Sequence, residues 1–203
     1  MFIERNGLSS EVIGGITCHG VTYKGPGLVK HAGTGDTIIG HYGGKVPGND
    51  PLDHVQRIAS MFTEAGIEVG TTTCINRELW AKTIINSAIN PLTALLGKPN
   101  GVVLDDPGVN ETARDLIAEG VAIARLHGQD LTEEEMVERT MSVASRTRRN
   151  VSSMYQDIRR KRRTEVDSIN GAICAKAEEK NAKAPLNRTM VRLIKALEEK
   201  NLE

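Results

Sequence analysis

The sequence predicts an α+β protein that is mainly helical, with a small antiparallel β segment ahead of the helices. Residues 12–44 are rich in Gly and in Val, Ile and Thr, broken into short runs by Gly and Pro. From Asn49 onward, apolar residues recur at helical spacing instead. The two patterns meet near residue 45, so the expected division is a β-rich segment over 1–45 and a helical domain over 46–203.

The β segment contains Val12–Thr17, Gly20–Tyr23, Gly27–His31 and Thr37–Gly40. Short β-branched runs separated by turn residues read as an antiparallel meander. A meander this small cannot hold a core alone and must pack on something else. Asp50-Pro51 then supplies an N-cap and a first-turn proline. Leu52, Val55, Ile58, Ala59 and Phe62 share one helix face, and Gly66 stops that helix. Ile67–Val69 is a candidate short strand. Asn76 opens an apolar segment to Leu96, with an interruption expected at Pro91. Pro107 and Gly108 lead into a helix over Glu111–Leu126, closed by Gly128. Thr132 to Glu135 forms a capping box with acids in the first turn. Thr164–Asp167 reads as another helix start, and Pro185 precedes a last helix near Arg188–Leu197.

The bulk numbers exclude several classes. In 203 residues, 39% are hydrophobic and 26% are charged, as in an ordinary soluble globular protein. Basic and acidic residues number 26 each, so no overall field draws the chain to nucleic acid or to a membrane surface. No apolar run is long enough to span a bilayer, and the first residues do not read as a signal peptide. Three cysteines without a close pair (Cys18, Cys74 and Cys174) argue against a metal knuckle or a disulfide framework, and for a reducing, cytoplasmic compartment. Cys74 and Cys174 are expected to pack in cores. His19, His31 and His41 show no acid–His spacing typical of metal sites, so no metal is expected.

The most informative stretch is Glu78–Leu92, apolar nearly all round and therefore a buried helix. Lys82, Asn86 and Asn90 recur within it every four residues and form one polar stripe. An ammonium and two amides are costly in such a helix unless something polar faces them. The alternatives are a stripe that faces solvent, or amides that cap neighbouring helix ends. A second polar cluster runs over Asn150–Asp157 and Thr164–Gly171. Read from the residues, Glu165 is a first-turn acid, and Asn150, Ser152 and Ser153 are caps or turn formers. Arg139–Arg163 carries nine basic residues against one acid. With no aromatic beyond Tyr155 it reads as a solvated helix face rather than a nucleic-acid patch.

The pattern Trp80-x-Lys82-x3-Asn86-x3-Asn90-Pro91-Leu92 resembles the signature helix of ketopantoate reductases. Asn150-x-x-Ser153-Met154-x-x-Asp157, then Thr164-Glu165-x-Asp167-x-Ile169-Asn170-Gly171, resembles that family's second signature. Asn6-Gly7, Gly14–Gly20 and Val29–Gly40 resemble the end of its cofactor domain. The resemblance implies a helical domain like the C-terminal domain of 6-phosphogluconate dehydrogenases, preceded by a remnant of a Rossmann-type domain. It also implies NADPH-dependent reduction of 2-dehydropantoate to pantoate, a step toward pantothenate and coenzyme A. Lys82 would then be the general acid. Asn86 and Asn90 would bond the substrate's hydroxyl and keto groups, and Asn150 and Ser153 would hold it from the facing segment. Glu165 would orient Lys82 or the cofactor ribose, and Asn6 would reach the ribose or the substrate from the cofactor side.

The chain departs from that family in one respect: it has no Gly-x-Gly-x-x-Gly turn between a strand and a helix. Gly33-Thr34-Gly35 begins like one, but residue 38 is Ile and no helix follows. About a hundred residues of nucleotide domain are expected ahead of Met1, judged by typical domain size. The explanations are a separate nucleotide-binding chain, a truncated gene product, or a cofactor-free role. Strand edges left open favour pairing of subunits as a homodimer. The alternative function is non-catalytic: an orphan helical domain that dimerises or binds a small acid.

Overall fold

A computed structural model describes residues 12–33, 35–42 and 51–202. It is α+β, as the residue patterns predict. Strands β1 (Ile13–Thr17), β2 (Gly20–Gly25), β3 (Leu28–Gly33) and β4 (Thr37–His41) come first, followed by helix α1 (Pro51–Glu64) and strand β5 (Gly70–Thr72). Then come α2 (Ile75–Leu96), α3 (Val102–Asp105), α4 (Pro107–Leu126), α5 (Glu133–Arg146), α6 (Ser153–Arg159), α7 (Asn170–Glu179) and α8 (Pro185–Leu202).

The chain divides into two compact units, Met1–Leu79 and Trp80–Glu203, with the division inside α2. In the first unit the strands are nested rather than a simple meander. β1 pairs antiparallel with β4 from Ile13↔His41 to Thr17↔Thr37, and the β2–β3 hairpin fills the connection between them. β5 lies three residues along from the expected Ile67–Val69, starting directly after it, and pairs parallel with β4. Val55 and Ala59 of α1 bury Ile39, which groups this helix with the strands although its sequence pattern differs from theirs. Phe62 departs from that face and is 43% exposed. The expected cap Asp50 lies outside the described residues.

In the second unit α2 is surrounded, which explains why its sequence is apolar all round. Ala81, Ile84, Ile85, Ala88, Ile89 and Leu92 pack with Leu116, Ile117 and Val121 of α4 and Met136 of α5. On another side, Ala94 meets Met154 and Ile158 of α6 and Ile194 of α8. A fully buried leucine or isoleucine is worth about 1.5–3 kcal/mol, so this double layer holds α2 rigidly. The turn chemistry follows expectation at two glycines. Gly66 (φ 83°) and Gly128 (φ 74°) adopt the left-handed conformation that ends α1 and α4. Thr132 caps α5 by accepting from Glu135 N at 3.2 Å.

Two local expectations need correction. α2 is continuous through Pro91 rather than interrupted there. The helix expected from Thr164 begins only at Asn170, because Ser168 N and Ile169 N both donate to Glu165 O and tie residues 165–169 into a turn. Glu165 is thus an exposed turn residue, not a first-turn acid. The run after Arg159 is also a turn, with Lys161 at φ 55° closing α6, not a helix face. Cys174 is buried, whereas Cys74 is exposed and does not pack in a core. Among the described residues, no helix is long and apolar enough to cross a membrane.

Candidate active site

The polar stripe of α2 is the organising feature of the second unit. Lys82, Asn86 and Asn90 lie one turn apart, so the stripe is about 12 Å long at 1.5 Å per residue. Burial deepens along it: Lys82 and Asn86 are half-buried, and Asn90 is buried. One turn past Asn90, the Thr93 hydroxyl donates to the Asn90 carbonyl at 2.9 Å and meets the Ser152 hydroxyl at 2.7 Å. Thr93 and Ser152 are both buried. Ser152 is the N-cap of α6, accepting from Tyr155 N at 3.2 Å. Ser153, the first residue of α6, is therefore one residue from a direct bond to the turn that follows Asn90, with its own side chain exposed.

Asn150 is held from the same side. Its carbonyl accepts from Asn100 N at 3.0 Å and its N–H donates to Thr147 O at 2.7 Å, which leaves its side chain exposed. Asn100 belongs to the loop after α2 and also donates from its side chain to Thr147 Oγ1 at 2.9 Å. The C-terminal half of α2 and its following loop thus anchor the whole Asn150–Ser153 segment. The tertiary fold brings Asn90 together with the region of Asn150 and Ser153, across roughly sixty residues of chain.

Glu165 lies beside Asp157 of α6. Burial pushes the Asp157 carboxyl above the usual carboxylate range, and the neighbouring negative charge of Glu165 pushes it further. Thr164 N donates to Glu198 Oε1 at 2.7 Å, fixing this turn to α8. Asn6 lies outside the described residues, so its place relative to the stripe is not defined. Among the described residues, no three His, Cys, Asp or Glu side chains converge as a metal centre requires.

Two pairings escaped the residue patterns. Thr93 and Ser152 carry no signal of their own, since each reads as a routine helix or turn residue. Buried Asn170 and Asn187 and half-buried Glu119 form a hydrogen-bonded chain, with Asn170 Nδ2 donating to Asn187 Oδ1 at 2.9 Å and Asn187 Nδ2 to Glu119 Oε1 at 2.8 Å. The one hint of it was a proline inside an apolar helical run, which leaves a carbonyl in need of a donor.

Comparison with known proteins bears on this arrangement. Residues 74–198 match the family model for the C-terminal part of ketopantoate reductases of the PanE/ApbA type. A 2-dehydropantoate 2-reductase from Pyrococcus horikoshii is 40% identical over 193 residues, covering 94% of this chain and 62% of the relative. Another from Halobacterium salinarum is 37% identical over 184 residues, covering 91% and 59%. The crystal structure of 2-dehydropantoate 2-reductase from Methylococcus capsulatus superposes with a TM-score of 0.85 at 27% identity, covering 100% of this chain and 63% of that one. The chain spans less than two-thirds of the length of each of these proteins.

Proposed function

The chain belongs to the ketopantoate reductase family, and on that footing we propose that it forms the substrate side of an NADPH-dependent 2-dehydropantoate 2-reductase. The observation that carries this reading is the Lys82–Asn86–Asn90 stripe on a helix whose other faces are buried in apolar cores. Reduction of a 2-oxo acid to a 2-hydroxy acid needs a proton at the ketone oxygen. Lys82 is assigned that proton, and its ammonium charge also stabilises the alkoxide as it develops. Asn86 and Asn90 are assigned to the substrate's hydroxyl and keto groups. A site lined by amides rejects acids that cannot hydrogen-bond, because its own groups would be left unpaired. Asn150 and Ser153 close over the substrate from the α6 side, Ser153 toward the carboxylate. Glu165 is assigned to orienting Lys82 or the cofactor ribose, and Asn6 to the ribose or substrate.

The described residues do not fit a phosphate cradle for NADPH. Such a cradle needs a strand, a glycine turn and a helix N-terminus in succession. Gly33 ends a strand, a Cβ on Gly35 would collide with the Cys18 carbonyl, and the next element is strand β4. β5 enters α2 through Thr73 and Cys74, without glycine. The cradle is therefore assigned to residues outside those described, or to a separate nucleotide-binding chain. The chain's own contribution is binding, orienting and protonating the oxo acid. A homodimer is the proposed assembly, supported by the exposed Val21, Tyr23, Leu28 and Val29 of the β2–β3 hairpin.

Titration of the chain with 2-dehydropantoate, with and without NADPH, tests the reading. Saturable binding of the oxo acid that Asn86→Ala weakens is the expected result. An absence of saturable binding under both conditions refutes it.

A further inference from the structure

Helix α2 runs through Pro91, a residue with no N–H to give the carbonyl four positions back. That carbonyl belongs to Ser87, and it is not left orphaned. The side-chain amide of Asn170, in the first turn of α7, donates to Ser87 O at 3.1 Å. Ser87, Asn170 and Asn187 are all fully buried.

The direction of every bond in this chain is set from one end. The Glu119 carboxylate on α4 only accepts, and it takes the backbone N–H groups of Leu186 and Asn187 at the start of α8. Asn187 must therefore present its NH2 group to Glu119, which turns its Oδ1 toward Asn170. Asn170 must in turn present its own NH2 group to Asn187. The second N–H of that group falls on Ser87 O. Both Asn170 donors are used, while its Oδ1 is buried without a hydrogen-bond partner. The residue sits there for its donors, and it is held by a network reaching three other helices.

Ser87 lies between Asn86 and Asn90. A proline opens the helix over the turn before it, so the angle between the Lys82–Asn86 arm and the Asn90–Thr93 arm depends on what fills the gap. The geometry points to Asn170 as a positioning residue that sets this angle, so that Asn86 and Asn90 address the same small acid. This rests on the reading of the stripe as an oxo-acid site. Proline at 91 removes the helix's own donor and hands control of the Ser87 carbonyl to α7.

Three variants of the full chain, Asn170→Ala, Pro91→Ala and the double variant, test the inference. The readouts are the thermal midpoint, 2-dehydropantoate affinity, and the side-chain NH2 resonances of Asn86 and Asn90 recorded without ligand. Pro91→Ala returns a backbone donor to Ser87, so it should keep the wild-type midpoint. It should nevertheless move both amide resonances and weaken the oxo acid at least tenfold. Asn170→Ala should lower the midpoint and weaken binding. The double variant should recover the part of the midpoint that the Ser87 carbonyl accounts for, while Asn187 Oδ1 stays without its donor, and should not recover the affinity, an outcome that a merely structural clamp does not produce. Wild-type affinity and unmoved resonances in Pro91→Ala overturn the inference. If the wild-type chain binds no oxo acid, the functional reading fails separately. The Asn86 and Asn90 resonances then decide the clamp: movement in Asn170→Ala upholds it, and its absence overturns it.

Discussion

Replacing Thr93 with valine keeps a β-branched side chain and removes one hydroxyl from a fully buried position. That hydroxyl is the middle of an ordered chain: Tyr155 N to Ser152 Oγ, Ser152 Oγ to Thr93 Oγ1, and Thr93 Oγ1 to Asn90 O. Thr93 has one proton and gives it to Asn90, so Ser152 is the donor of the shared bond. In Thr93→Val the Ser152 hydroxyl loses its acceptor where it is 5% exposed. A buried donor left unsatisfied costs about 1–3 kcal/mol. The Asn90 carbonyl lies within a helix that supplies its own donor, so it adds little. The expected loss is about 2 kcal/mol, or about 6 °C in Tm for a chain of this size. Ser152→Ala removes the same bond and also the N-cap of α6, about 1 kcal/mol each, and so costs about 2 kcal/mol. The double variant should cost only about 2.5 kcal/mol, well below the sum of the singles, because neither partner is then left unpaired. Urea unfolding followed by the fluorescence of Trp80, the chain's one tryptophan, reports on the helical unit directly. Single-variant losses below about 0.5 kcal/mol, or strict additivity in the double variant, would refute the pairing that ties α6 to the turn after Asn90.

Three other outcomes follow from the structure. Under the proposed assignment, and with the nucleotide-binding part supplied, Lys82→Ala should lower 2-dehydropantoate reduction at least about a hundredfold while the Trp80 unfolding midpoint holds, whereas parallel loss of rate and stability would mark the stripe as structural. Leu116→Ala, in the fully buried face of α4 against α2, should cost about 3 kcal/mol by calorimetry, and a cost under about 1 kcal/mol would show that this core can collapse around the gap. Asp157 has a folded pKa raised first by burial and then by Glu165, so the folded state holds its proton more tightly than the unfolded chain does. Ionisation of this group costs stability, and its share of stability falls as pH rises from the ordinary carboxylate range through the folded pKa. Asp157→Asn should therefore be more stable than wild type at neutral pH and should flatten the weakly acidic part of the stability profile, with Glu165→Gln giving part of the same effect. Urea midpoints across that pH range check the sign.

Much of the architecture was legible because it is local. Gly66 and Gly128 end helices where a left-handed residue is needed, and Thr132 caps α5 through its own backbone neighbour. The apolar run of β4 and the all-round apolar pattern of α2 likewise report burial at strand and helix periods, whereas the apolar residues of β2 and β3 stay exposed. The misreadings arose where a distant group outweighed a local rule. Pro91 ordinarily breaks a helix, but Asn170 supplies the missing donor and apolar packing holds both arms. Thr164 reads as a cap, yet Glu198 captures its N–H from α8, and bonds to Glu165 O delay the helix to Asn170. The pattern change at residue 45 does not mark the compact units, because α1 buries Ile39 of β4 and so joins the strands.

The stripe itself belongs to the local class. Lys82, Asn86 and Asn90 share a face because 3.6 residues make a turn, whatever surrounds the helix. Which distant groups meet α2 beside that stripe is a different kind of fact. Ser152 reaches Thr93 across 59 residues, and Asn170 reaches Ser87 across 83, and no period in the chain encodes either meeting. Helix periodicity orders side chains along one element. Only the packing of several elements around α2 decides which hydroxyls and amides become one another's partners.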